Sequence, residues 1–538
     1  VGNRLQFLKK AWPLLVAPGI FLILFALYAQ ARGPFYLAFN YDPDYAYLFN
    51  GLNLQSGIAP EHVDHPGIPL QLFAAACIKI TTLGSLNHAT IVTVLAHAES
   101  YLKGMNSALM ICYSISLLLF GVLVWRKTES MTAALLLQAT PFLLAEDFYE
   151  TARFRPESMI LIVVLAMAAV LYVHVLRDDR KLGGGGLCLL SFLAATGVVT
   201  KINFLPLVLV PLFGLRTWKG RIGYVALTCI FVGLWLLPLK PHFPRFASWV
   251  IGLVTHQERY GIGEAGLLPA HYLMFLARLI VARPLFFLTL GTSVAALVYA
   301  WGWRRDKNDP QETRLVRLLT GLVLAQFLQY LMVGKFEQAR YMVPAIVFCG
   351  LNWALLLALI RRWPISSVNG RPLRWASLSL GIFITGWLGS KLHHRYIQMA
   401  ESRDVHLEMA KVLEKEFADK TVVYSFGCSS LYHALWFGNT YCGRRYGKTI
   451  IEDLFPNHAP AYMVEVLPQK TFWYSVAGPD ILLSDRLARG EVVFVAAREW
   501  PEHLGGEVFN FLPKNVSLEK LRRQGEEAIY RVKALPNQ

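Results

Sequence analysis

Two aspartates separated by a proline follow the first apolar run of this chain, in Asn40-Tyr41-Asp42-Pro43-Asp44-Tyr45. In extended backbone, side chains two residues apart point the same way, and Pro43 disfavours helix at Asp42. Asp42 and Asp44 held like this could take the proton from a hydroxyl while a phosphate leaves a sugar. Equally, they could cap a helix beginning near Tyr45. The same stretch continues through Glu61, His62, Asp64 and His65. Two histidines three residues apart, with Asp64 between them, suit a metal ion, a phosphate or the headgroup layer of a bilayer. His65-Pro66-Gly67-Ile68-Pro69 reads as a stiff turn into a helix, since proline is favoured at a helix start.

Further charged groups recur between apolar runs. Glu146, Asp147, Glu150, Arg153, Arg155 and Glu157 crowd one short segment. The arginine forks could bind oxyanions, or the set could neutralise itself in a solvated loop. Lys335, Arg340 and Tyr341 stand where another apolar run ends. They would clamp and stabilise a departing phosphate or anchor the chain among headgroups. Lys201 interrupts two short apolar runs, an expensive place for a cation unless it faces a polar cavity. His256 and Arg259 complete the candidates. Gly183–Gly186 lacks the strand and spacing of a phosphate loop. The seven cysteines form no metal-type spacing, so no metal ligands are assigned and a divalent metal stays open. A disulfide between Cys428 and Cys442 is possible if that region lies outside the cytoplasm.

What must position these groups is a membrane bundle. The chain has 538 residues, 55% hydrophobic and 16% charged, with a mean hydropathy of +0.41; soluble domains carry about 25% charged residues. The net charge of +16 does not point to nucleic acid, because much of the Lys/Arg sits in short loops between apolar runs. Arg4, Lys9 and Lys10 place the N-terminus inside and residues 32–103 outside as a long loop carrying surface helices. The spacing predicts spans over Trp12–Ala31, Gly104–Val124, Met131–Ala145, Ser158–Leu176, the short pair Leu187–Val199 and Phe204–Leu215, Ile222–Leu239, Tyr272–Ala300 and Leu315–Val333. A return span ending at Arg361 and one over Trp375–Ser390 follow. That makes about eleven spans, with the tail outside. Trp12, Trp125, Trp218, Trp301, Trp303, Trp363 and Trp375 fall beside the basic clusters assigned to the cytoplasmic side. Residues 1–392 therefore read as a membrane module. Residues 393–538 read as a soluble extracytoplasmic α/β domain, with a helix over Glu401–Ala418 and strands at Thr421–Phe426, Asp480–Leu483, Glu491–Ala497 and Ala528–Lys533.

The order of these motifs resembles the GT-C class of membrane glycosyltransferases, in particular bacterial protein O-mannosyltransferases and aminoarabinose transferases (glycosyltransferase family 39-like). Asp42-Pro43-Asp44-Tyr45-Ala46 with Leu54-Gln55-Ser56-Gly57 resembles their first-loop acidic motif and its helix. Asp64-His65-Pro66-Gly67-Ile68-Pro69-Leu70 resembles their Pro-rich turn. Glu157 stands where the family often has an acid, Thr200-Lys201 resembles its Thr-Lys motif, and Arg340-Tyr341-Met342-Val343-Pro344 its late Arg-Tyr motif. The chain departs from the usual Asp-Glu pair by having Asp-Pro-Asp, which leaves the base open between Asp42 and Asp44, with Asp44 favoured. The resemblance implies inverting transfer of a sugar from a polyprenyl-phosphate donor to a lipid, glycan or protein acceptor, outside a bacterial inner membrane. It implies that Arg340, with Lys335 or Lys201, holds the departing phosphate, and that Glu157 and the nearby arginines position sugar or acceptor. A transporter or flippase for a lipid-linked glycan would use the same cations without a carboxylate base. A non-catalytic scaffold presenting the tail is the third possibility.

Overall fold

The computed structural model describes residues 10–65, 67–177, 182–257, 263–302, 309–336, 338–363, 371–458, 462–467, 470–475, 490, 492–498 and 516–534. It is that of a polytopic α-helical membrane protein with a small α/β region near its C-terminus. In chain order the helices are α1 (Pro13–Arg32), α2 (Asp44–Gln55), α3 (Ile68–Thr81), α4 (His88–Ala96), α5 (Ala98–Thr128), α6 (Met131–Gln138), α7 (Pro156–Leu176), α8 (Gly184–Thr200) and α9 (Val210–Gly214). They continue as α10 (Trp218–Leu236), α11 (Phe243–Thr255), α12 (Tyr272–Ala282), α13 (Pro284–Gly302), α14 (Pro310–Gly334), α15 (Val343–Val347), α16 (Cys349–Ile360), α17 (Arg371–Glu416) and α18 (Leu431–Thr440). Among the described residues, seven helical stretches are long and apolar enough to cross a membrane, and five shorter apolar helices accompany them.

Two compact units divide the chain. The first comprises Val1–Leu27, Val63–Leu70 and Ser107–Arg395; the second comprises Tyr28–His62, Gln71–Asn106 and Tyr396–Gln538. In the first unit the apolar windows of α7 and of Ala339–Ile360 are 72% and 78% buried, against 17% for Trp218–Thr255. The former are therefore central, and the last presents most of its apolar surface outward, as a lipid-facing span does. Three local features differ from the sequence reading. The expected span Tyr272–Ala300 is two helices, because Pro284 drives Arg283 out of the helical region, to φ −131°, ψ 55°. The expected short pair is helix α8 followed by a 3₁₀ stretch, Ile202–Leu209, with Lys201 extended between them. Trp375–Ser390 and the predicted tail helix Glu401–Ala418 are parts of one 46-residue helix, α17.

The second unit carries a six-stranded sheet in the order β3-β2-β1-β4-β6-β5. Its strands are β1 (Thr421–Ser425), β2 (Tyr462–Leu467), β3 (Lys470–Ser475), β4 (Val493–Arg498), β5 (Val516–Gln524) and β6 (Glu527–Ala534). β1 runs parallel to β2 and β4, and the outer pairings are antiparallel. Val423, Val493, Val495, Ala528, Tyr530 and Val532 form its apolar core. Of the predicted strands, Asp480–Leu483 lies outside the described residues. Helix α18 packs on α2 within this unit. Asn50 Nδ2 donates to the Tyr441 carbonyl at 3.0 Å, Asn53 Nδ2 to the Cys442 carbonyl at 3.1 Å, and Tyr446 Oη to Asn53 Oδ1 at 3.0 Å. The possible disulfide between Cys428 and Cys442 is not formed; both thiols are free. Cys428 donates to the Ala496 carbonyl at 3.0 Å and Cys442 to the Asn439 carbonyl at 3.2 Å.

Candidate functional site

The first unit concentrates its ionic groups where helices end. Helix α7 begins at Pro156, a residue suited to the first helical position, and carries Glu157 in its first turn, where the helix dipole favours an acid. The segment ahead of it turns through a 3₁₀ helix, Phe148–Ala152, which carries Glu150. Arg340 comes from another 3₁₀ turn, Ala339–Met342, and Lys201 from the break after α8. Short turns beside long helices thus deliver every charge.

Apart from Arg340, whose side chain is 26% exposed, these charges are buried. Glu150, Glu157, Arg153, Arg155 and Lys201 are each at most 4% exposed, which excludes a solvated loop. Arg155 Nη1 donates to Glu150 Oε2 at 2.7 Å, and Arg340 Nη1 lies 3.7 Å from Glu150 Oε1. Lys201 Nζ pairs with Glu157 Oε1 and sits 4.3 Å from the centre of the Tyr341 ring. Burial pushes the Glu150 carboxyl up, but Arg155, Arg340 and Arg153 outweigh it and hold the acid well below the usual carboxylate range. Four cations thus surround two carboxylates. Charges held out of water in an apolar bundle are costly unless they are used.

A second cluster in this unit is balanced. Arg283 pairs with Glu146 and, at 2.7 Å, with Asp147, while Lys391 lies 3.1 Å from Glu146. Glu146, Asp147, Arg283 and Trp387 line a cavity together with apolar side chains such as Phe286 and Ile346.

His65 stands edge-on to Trp249 at 5.2 Å and to Tyr341 at 5.8 Å, so it joins the Lys201 neighbourhood. Burial raises the Asp64 carboxyl, against the pull of Arg245. Lys335 does not join the cluster. Its ammonium donates to the Leu253 and Val254 carbonyls at 2.7 and 2.9 Å, closing the end of α11. His256 bonds Thr255 Oγ1 at 3.0 Å, and Arg259 lies outside the described residues.

Asp42, Asp44 and His62 belong to the second unit. Asp42 is extended, at φ −97°, ψ 118°. Asp44 is the first residue of α2 and is fully buried, and the residue before the helix supplies no side-chain cap. The hydroxyl of Tyr45, the next residue, donates to Glu99 Oε1 at 2.6 Å, while the Phe35 N–H donates to Glu99 Oε2 at 2.7 Å. His62 lies between the Tyr47 and Tyr441 rings, at 5.4 and 5.2 Å. His62 and His65 therefore have separate aromatic settings, and among the described residues no three His, Cys, Asp or Glu groups are placed to hold a metal ion.

The chain is similar over 96% of its length to a crystal structure of ArnT from Cupriavidus metallidurans bound to undecaprenyl phosphate, at 14% identity, 97% coverage of that chain and a TM-score of 0.46. It is similar over 95% of its length to ArnT from the same organism in the apo state, at 13% identity, 97% coverage and a TM-score of 0.47. No family model matches the sequence, and no curated protein matches it.

Three residues matter here that the sequence did not single out. Arg283 looked like the interior of a continuous span. Glu99 lies in the stretch read as the long outer loop, with no role assigned to it. Trp249 looked like one aromatic among many, although its place on α11, opposite exposed Phe243, Ile251 and Val254, follows helical periodicity.

Proposed function

We propose that this protein is a membrane glycosyltransferase. In this reading it moves a sugar from a polyprenyl-phosphate-linked donor to a lipid, polysaccharide or protein acceptor, with inversion. The reaction takes place on the periplasmic side of a bacterial inner membrane, where residues 393–538 also reside. The observation that carries this reading is the cluster of Arg153, Arg155, Lys201 and Arg340 around Glu150 and Glu157.

The chemistry explains why such a cluster is useful. The acceptor oxygen attacks the anomeric carbon and loses its proton to a carboxylate, assigned here to Asp44, with Asp42 as the alternative. The bond from the anomeric carbon to the phosphate oxygen breaks, and its electron pair stays on the phosphate. A phosphodiester with one negative charge thereby becomes a monoester that gains a second. Fixed cations stabilise that gain more than they stabilise the bound donor, which is the condition for accelerating the step. Lys201 and Arg340 supply them, Glu157 and Glu150 keep their side chains in place, and Arg153 and Arg155 complete the field. Tyr45, held by Glu99, fixes the start of the helix that carries Asp44.

A flippase for the same lipid would use the cations but no base. Asp44→Asn separates the two classes. Transfer falling about 10²-fold or more, the scale of a general-base contribution, while undecaprenyl phosphate still binds supports the enzyme. Unchanged turnover rules out Asp44 as the base.

A further inference from the structure

Around Tyr341 and His65 the first unit holds uncharged polar atoms that lack a partner among the described residues. Trp249 is 9% exposed, its ring meets His65 at 5.2 Å, and its indole N–H has no acceptor. Asn203 Nδ2 and Gln329 Nε2 both donate to the Tyr341 carbonyl at 2.9 Å. That contact fixes the orientation of both amides, so their oxygens are acceptors, and both are buried without a donor. One donor and two acceptors are therefore left unsatisfied beside a Lys–Glu pair whose ammonium lies against Tyr341. Each such group is costly to bury when its hydrogen bond is left unmade.

The mixture of polarities says what would fill them. A phosphate offers only acceptor oxygens and could satisfy the indole but neither amide oxygen. A hydroxyl both donates and accepts. We infer that Trp249, Asn203 and Gln329 form a subsite for the hydroxyl-bearing sugar of the donor, beside and distinct from the cations that take its phosphate. This rests on the proposed glycosyltransferase reading and deepens it, since it assigns recognition of the sugar itself. A site built to bond hydroxyls also rejects a ligand that lacks them, because its own groups then stay unpaired.

The test compares binding of bare undecaprenyl phosphate with a panel of undecaprenyl-phosphate-linked sugars (glucose, mannose, galactose, N-acetylglucosamine and arabinose) to the full-length protein in detergent. At least one glycosylated carrier is expected to bind more tightly than the bare carrier. Trp249→Phe, which keeps a ring and removes the N–H, should weaken that carrier about tenfold, the scale of one hydrogen bond, and leave the bare carrier within about twofold. Asn203→Leu should do the same and carries the test if Trp249→Phe does not fold. Lys201→Met should weaken bare and glycosylated carriers alike. If no sugar adds affinity, or if Trp249→Phe and Asn203→Leu weaken both kinds of carrier equally, the sugar subsite is wrong while the carrier reading stands. If wild type binds no carrier at all, the glycosyltransferase reading fails first.

Discussion

Two ionic clusters of the first unit differ in how deeply they are buried. Arg283, Glu146, Asp147 and Lys391 form one, in which the side chains of Glu146 and Lys391 are 31% and 43% exposed. Glu150, Glu157, Arg155 and Lys201 belong to the other, with side chains at most 5% exposed, and Arg153 and Arg340 complete it. A partly solvated cluster ties helix ends together at little cost. A buried one takes its charges out of water, which is expensive in an apolar bundle unless they are used. Depth of burial therefore marks the functional candidate. The polar network of the second unit carries no charge, and there Asn50, Asn53 and Tyr446 bond to protein atoms.

The largest effect should come from removing a member of the buried cluster. Lys201→Met leaves Glu157 without its direct partner and removes a cation from the departing phosphate. Transfer should fall about 10²–10³-fold, as when one transition-state donor is lost, and undecaprenyl phosphate should bind more weakly. Lys201→Arg should recover part of both. A Lys201→Met enzyme with normal turnover would erase the distinction between the clusters.

The partly exposed cluster should respond in stability instead. Arg283→Met strands the buried Asp147 carboxylate, while Glu146 keeps Lys391, and breaking a buried pair in this way costs about 3–5 kcal/mol. The variant should melt earlier in detergent, while transfer per folded molecule stays near wild type. A loss of transfer at unchanged melting temperature would move Arg283 into the functional set.

Much of this contrast was legible in the sequence. Lys201 stood out because a cation between two apolar runs needs a reason, and Glu157 and Arg340 stood out as charges at span ends. Their mutual pairing was not legible, since residues 157, 201 and 340 meet only through tertiary packing. Arg283 was hidden because the apolar run continues on both sides of it, and only Pro284 hinted at the break. The tail gave up β1, β4 and β6, which have apolar runs of strand length. It concealed β2 and β3, while β5 alternates weakly and carries many charges. The long helix α17 was read as two pieces because its composition changes from apolar to charged midway, although its backbone does not.

The two units should also differ in their response to acid. In the second, burial lowers the His433 pKa from 6.5 to about 4, and its ring stacks on Tyr424 at 5.3 Å. A base depressed in the fold keeps its proton more readily when unfolded. Stability is therefore lost as pH falls from about 6.5 and levels off below about 4, by about 3 kcal/mol in all. His433→Phe, which preserves the stacking, should flatten that decline in denaturant midpoints measured at pH 4 to 8.

Asp147 in the first unit should show the opposite slope and the smallest effect. Burial pushes its pKa from 3.8 to about 6, against the attraction of Arg283. An acid raised in the fold holds its proton more tightly when folded. Its contribution therefore does not oppose folding below about pH 4 and turns unfavourable as pH rises through 6. At pH 7 the ionised, buried carboxylate costs about 2–3 kcal/mol. Asp147→Asn should accordingly raise stability at pH 7, with Glu146 still pairing Arg283, and the gain should vanish toward pH 4. Unfolding curves in detergent at pH 4, 5, 6 and 7 decide it. If Asp147→Asn destabilises the protein at pH 7, the Arg283 pairing outweighs burial, and the Glu146–Asp147–Arg283 cluster is a net source of stability.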